Sequence, residues 1–282
     1  MTRRTFVPSL AGLALAELGH AADEQPVVRK GKLKQCVTRG VFGKGMSFED
    51  MCRHAARMGC KGFDLVNPPD WPTLKKYGLV PTMVYSGATI PDGLNRVENH
   101  AKIEPLMKKA IDDCASIGAP NVITFSGNRK GQPDAQGMEN CVLFLNKIKA
   151  YAEDKGVTIC MEFLNSKVNH PDYQFDHTPY GVEICKRVNS PRVKILYDMY
   201  HVQIMDGDII RNVRNNIQWI GHFHTAGNPG RHEMDDTQEM NYKGIAKAIA
   251  DLNFTGYVAH EYSPTRDPLK SLEETLQMFD VS

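Results

Sequence analysis

The sequence predicts a single (β/α)8 barrel of the α/β class, on three observations. From Leu33 onward, short apolar runs alternate with longer amphipathic stretches about eight times, the pattern of a parallel sheet covered by helices. The roughly 260 residues that carry this pattern match the ~250 typical of such a barrel. No G-x-G-x-x-G follows the first strand and no phosphate-cradling G-x-x-x-x-G-K-S/T occurs, which removes the usual support for a doubly wound open sheet. No linker-like or low-complexity segment interrupts residues 23–282, which therefore read as one domain.

Taken in order, "LKQCVTRGVF" is the first strand, and the helical stretch from Ser47 to Met58 follows it, closed by the glycines of "MGCKG". "KGFDLV" and "LVPTMVYS" are the next two strands. The helix from Ala101 to Ile117 stops at "IGAPN" before the strand "NVITFSG", and the helix from Met138 to Lys155 stops at "DKGVT" before "VTICMEFLN". A helix from Tyr180 to Val188 leads to "VKILYDMYH", then "IGHFHTAG", a helix from Tyr242 to Leu252, and the last strand "GYVAHEYSP". Seven cysteines without a CxxC pair, most of them among apolar neighbours, read as small core residues rather than a disulfide framework.

The N-terminus differs from the rest. "MTRRTFVPSLAGLALAELGHAADEQ" combines paired Arg3 and Arg4, a short apolar run and small residues from Gly19 to Ala22, and resembles a twin-arginine export signal. The run from Val7 to Ala16 contains Pro8 and falls short of the ~20 residues that a spanning helix needs. Residues 1–22 are thus set apart from the fold. The mature chain, 23–282, is expected to be periplasmic with no membrane span, and cytoplasmic should the signal not operate.

With 34 basic against 33 acidic residues and a formal charge of +1, the chain gives no electrostatic reason for a nucleic-acid partner or an anionic membrane. A small uncharged or anionic ligand is the expected partner, and a homo-oligomer is left open.

In a barrel of this kind, functional groups sit at the C-terminal ends of the strands. The last four strands end in such groups: Glu162 and Asn165 in "MEFLN", Asp198 and His201 in "YDMYH", His222 and His224 in "HFHTAG", and His260 and Glu261 in "HEYSP". The early strands end in "VFGKG" and "SG", which can shape a pocket but bring no ligand. Three carboxylates and a histidine on neighbouring strands make an oxygen-rich site suited to Mn²⁺ or Mg²⁺, with Co²⁺ as a third option. Alternation along a strand separates the candidates. An inward Glu261 turns His260 towards the helices, and His222 shares the face of His224 but lies lower in the barrel.

Together, "MEFLN", "YDMYHVQIMDGD", "GHFHTAGNPGRHE", "EMNY" and "HEYSP" resemble, in order and spacing, hydroxypyruvate isomerases and, more widely, the sugar isomerase and epimerase TIM barrels related to xylose isomerase. The resemblance runs from about Leu33 to the C-terminus. It implies one divalent cation on Glu162, Asp198, His224 and Glu261, and substrate oxygens held by His201 and Arg231. His224 stands where hydroxypyruvate isomerases commonly have Gln, and a histidine there is closer to the ketose 3-epimerase branch. "MDDTQEMNY" replaces a glycine-rich segment of that subgroup.

The implied chemistry is an isomerisation or epimerisation of a sugar or hydroxy-carbonyl substrate through an enediolate. Glu162 and Glu261 are the expected proton-transfer pair, with Asn165 as a further substrate contact. A periplasmic sugar-binding barrel without turnover is the alternative from another class.

Overall fold

The computed structural model describes residues 26–282. Residues 1–22, where the sequence leads one to expect an export signal, lie outside the described residues. Eight parallel strands close into a barrel in sequence order: β1 (Lys34–Val37), β2 (Gly62–Asp64), β3 (Val80–Tyr85), β4 (Asn121–Thr124), β5 (Thr158–Glu162), β6 (Val193–Asp198), β7 (Ile220–Thr225) and β8 (Tyr257–His260). β8 pairs with β1 through Lys34↔Tyr257 to Val37↔His260, so no edge is left unpaired. The strands stop earlier than the apolar runs suggest. "LKQCVTRGVF" forms only four residues of strand before a 3-10 turn at Arg39–Phe42.

The helices are α1 (Phe48–Arg57), α2 (Trp71–Lys76), α3 (Val97–Ile117), α4 (Asp134–Lys155), α5 (Thr178–Val188), α6 (Met199–Met205), α7 (Ile209–Asn216), α8 (Tyr242–Asp251) and α9 (Pro268–Met278). Ser47 caps α1 by accepting from the Asp50 amide. α3 and α4 end on Gly118 and Gly156 in the left-handed conformation that glycine adopts without steric cost. α2, α6 and α7 span only six to eight residues, too few for a 3.6-residue period to show in the sequence. α9 does carry a sequence signal, with Asp267 as N-cap and Pro268 at the first helical position.

Apolar residues facing outward from the strands pack against the helices, as where Phe63 of β2 meets the rings of Phe42 and Phe48. All seven cysteines are buried and free. No helix among the described residues is long and apolar enough to cross a membrane.

Candidate metal centre and active site

Glu162 ends β5, Asp198 ends β6, His224 is the penultimate residue of β7, and Glu261 directly follows β8. Barrel closure brings one ligand atom from each to within 4.8 Å of all the others. In the register Asp198 lies directly opposite His224, while Glu162 lies opposite Leu196, two residues before Asp198 on the same face of β6. His260, one residue before Glu261, faces the helices instead. Its ring bonds Thr225 and Gln35 and meets Phe279 edge-on.

Asp198 has two roles, because it also caps α6. Its Oδ1 accepts from the Tyr200 and His201 amides, leaving Oδ2 towards the cluster. His201 therefore sits in the first turn of a helix, not on the strand. Arg231 comes from the loop after β7 and lies against the face of Tyr200. One of its nitrogens, Nη2, is 2.7 Å from both Asp198 Oδ2 and Glu261 Oε2, and Nη1 is 2.9 Å from His201 Nε2.

Asn165 is buried behind His201 and does not line the cavity. Its Oδ1 accepts from the Val168 and Asn169 amides, and its Nδ2 is 2.5 Å from His201 Nδ1. The sequence expectation of a substrate contact is thus replaced by a contact to the neighbouring histidine. Through its side-chain oxygen, two backbone N–H groups fix the direction of the Asn165 amide.

A cavity of about 400 Å³ opens over the cluster, with Glu162, Glu261, His201 and Arg231 on one side and an apolar wall including Ile123 and Phe125. His170 also lines it, and its ring meets His201 edge-on.

The charges are set by crowding. Burial raises the Glu162 pKa to about 7, against the opposing pull of His224. Burial also acts to raise Glu261, but His224 and Arg231 outweigh it and hold its carboxyl below the usual range. For His224, burial alone favours the neutral ring, yet the Glu261 charge and the bond to Asp64 hold its pKa well above the ordinary value. In His201 burial dominates and lowers the pKa to about 3, so the ring is neutral.

The donor set fits a divalent cation. His224 Nδ1 is buried without a hydrogen bond, yet lies 2.8 Å from Glu261 Oε2 and 3.3 Å from Glu162 Oε1. An unbonded ring nitrogen among carboxylate oxygens is what a shared cation would satisfy.

One acid from the early strands is also drawn in, against the sequence expectation that they bring no such group. Asp64 of β2 is fully buried and touches His222 and His224. The signal is present in the sequence, since "KGFDLV" sets an acid inside an apolar strand at a cost that burial must recover.

Glu233, which ends the histidine-rich stretch, is structural. Its carboxylate accepts from the amides of Thr265 and Arg266 and from the hydroxyls of Thr265 and Ser271, tying the loop that carries Arg231 to the segment after β8. Burial opposes ionisation, but these bonds lower the pKa to about 2. A depressed carboxyl stabilises the fold above its unfolded pKa of about 4.3, and that contribution is lost as pH falls towards 2. Glu233→Gln is expected to cost roughly 2–3 kcal/mol at pH 7 in urea unfolding, the gap from wild type closing between about pH 4 and 2. Equal urea midpoints at pH 7 would contradict this.

A closed parallel barrel with three carboxylates and a histidine gathered at its C-terminal mouth defines the class of this molecule. The chain belongs to the xylose isomerase-like TIM barrel family, whose description matches residues 52–280. A putative hydroxypyruvate isomerase from Danio rerio is 33% identical over 148 residues, 49% of this chain and 53% of that protein. The chain thus matches about half the length of that relative. A 2-oxo-tetronate isomerase from Haemophilus influenzae is 27% identical over 247 residues, 80% of this chain and 92% of its own. Among solved structures, an AP endonuclease, family 2, from Brucella melitensis superposes with a TM-score of 0.76 at 24% identity, covering 85% of this chain and 97% of that one. At that identity the likeness shows a shared fold alone.

Proposed function

We propose that this protein is a metal-dependent isomerase of a sugar or hydroxy-carbonyl compound, of the hydroxypyruvate isomerase kind, moving a proton through an enediolate. The observation that carries the reading is that Glu162 and Glu261 face one cavity beside Asp198 and His224, with ligand atoms within 4.8 Å. The names of the curated relatives support it. A divalent cation, Mn²⁺ or Mg²⁺, held by those four residues supplies the positive charge that stabilises the enediolate oxygens.

Every other part falls to this chain's own groups. Glu162 and Glu261 both line the cavity and are the two carboxylates placed to take the proton from carbon and return it. His201 orients the substrate by its tautomer. Asn165 Nδ2 can only donate, so His201 Nδ1 accepts and the ring proton sits on Nε2, towards the cavity. A neutral ring cannot also accept from Arg231, so that contact opens when a substrate oxygen takes the Nε2–H bond. Arg231, freed on that side, steadies a second oxygen.

Incubation in D₂O with hydroxypyruvate, short hydroxyaldehydes and ketoses tests the reading, because isomerisation and epimerisation both break a C–H bond. Deuterium is expected in substrate carbon, and the product separates an isomerase from a ketose 3-epimerase, the branch that His224 resembles. Binding without exchange across the set would favour a sugar-binding barrel instead.

A further inference from the structure

Below the proposed cation, the barrel interior holds a second polar group that the proton chemistry does not use. Asp64 Oδ2 accepts from His224 Nε2 at 2.9 Å and from His222 Nε2 at 2.7 Å, and Oδ1 accepts from the Thr82 hydroxyl, with Cys36 Sγ at 3.5 Å. Asp64, Thr82, His222 and His224 are all fully buried. Cys36, Asp64 and His222 could be taken for a metal site of their own. The contacts argue otherwise, because both Asp64 oxygens are already occupied by hydrogen bonds at close range, leaving no face open to an ion.

The arrangement acts on His224. A carboxylate can only accept, so His224 Nε2 carries a proton towards Asp64, and Nδ1, which has no hydrogen bond, faces the cluster as the nitrogen whose proton a bound cation would displace. Alternation turns Asp64 inward, one residue after the outward Phe63. The β2–β3 register slips between Phe63 and Asp64, and Leu65 takes a left-handed φ of 55°.

We propose that Asp64 is the positioning residue of the metal centre, holding His224 in the Nε2–H tautomer so that Nδ1 is the ligand atom, with His222 as the second donor that fixes the Asp64 carboxylate. The inference rests on the metal reading above, but not on turnover. Carboxylate partners of ligand histidines typically contribute 10–100-fold in metal affinity. In Asp64→Asn the amide can rotate to donate to His224, which would move the ring proton to Nδ1 and block the ligand position.

Titration with Mn²⁺ alone is expected to show 10–100-fold weaker binding for Asp64→Asn than for wild type, and a smaller, few-fold loss for His222→Phe, with circular dichroism of both variants unchanged. The second measurement needs no variant: in ¹⁵N-histidine, ¹¹³Cd-loaded wild-type protein, His224 is expected to show metal coupling at Nδ1 and a proton at Nε2. Coupling at Nε2, or an Asp64→Asn affinity within twofold of wild type, would overturn the proposal while leaving a metal centre in place. Wild-type protein that binds neither Mn²⁺ nor Cd²⁺ would overturn the metal reading itself, and this inference with it.

Discussion

Glu261→Gln is expected to slow deuterium exchange into a responsive substrate by about 10²–10⁴-fold while leaving a bound cation, because an amide oxygen can still coordinate but no longer accepts a proton. The comparison is between single-turnover exchange rates of wild type and variant, each loaded with Mn²⁺ and assayed for metal content. Glu162→Gln should fall in the same range, since it is the second carboxylate lining the cavity. Wild-type exchange in the Glu261 variant would mean that another group is the base. Equal losses in both variants with metal retained would be the signature of a two-glutamate shuttle, in contrast to a single base acting beside a passive ligand.

The second large effect is on the cation. Replacing Glu162 by Gln and Asp198 by Asn together removes two charges from a cluster whose other members are one carboxylate and one histidine. Bound Mn²⁺ per chain, read by elemental analysis after desalting, is expected to drop from about one to near zero, because hard divalent cations depend on anionic oxygen ligands. An unchanged metal content would place the cation elsewhere. Asn caps a helix about as well as Asp, so α6 keeps its N-cap in the variant, and urea unfolding measured separately distinguishes the metal effect from a loss of folding.

Much of the site is legible in the amino-acid sequence. Glu162, Asp198, His224 and Glu261 each stand at the end of an apolar run, and an acid in such a setting calls for a partner. The barrel rule then places strand ends at one mouth. Alternation alone sorts His222 and His260 correctly, the first turning inward below the site and the second outward to α9. Asn165 and Arg231 are legible as residues near the site but not in what they touch. Arg231 lies in a loop whose path depends on the ties Glu233 makes to Thr265, Arg266 and Ser271, some 32 to 38 residues away.

Strand order, inward faces and the four residues at the mouth follow from the sequence by itself, because periods of 2 and 3.6 and the preference of glycine for helix ends act over a few residues. Which atoms share a proton or a charge is decided only by the closed barrel. Asp64 meets His224 across 160 positions of sequence, because barrel closure sets the inward end of β2 against the inward face of β7. No local pattern encodes that contact, since β2 and β7 are not neighbours in the sheet and meet only across the closed interior. Only there does a carboxylate come to stand beneath one particular ring nitrogen.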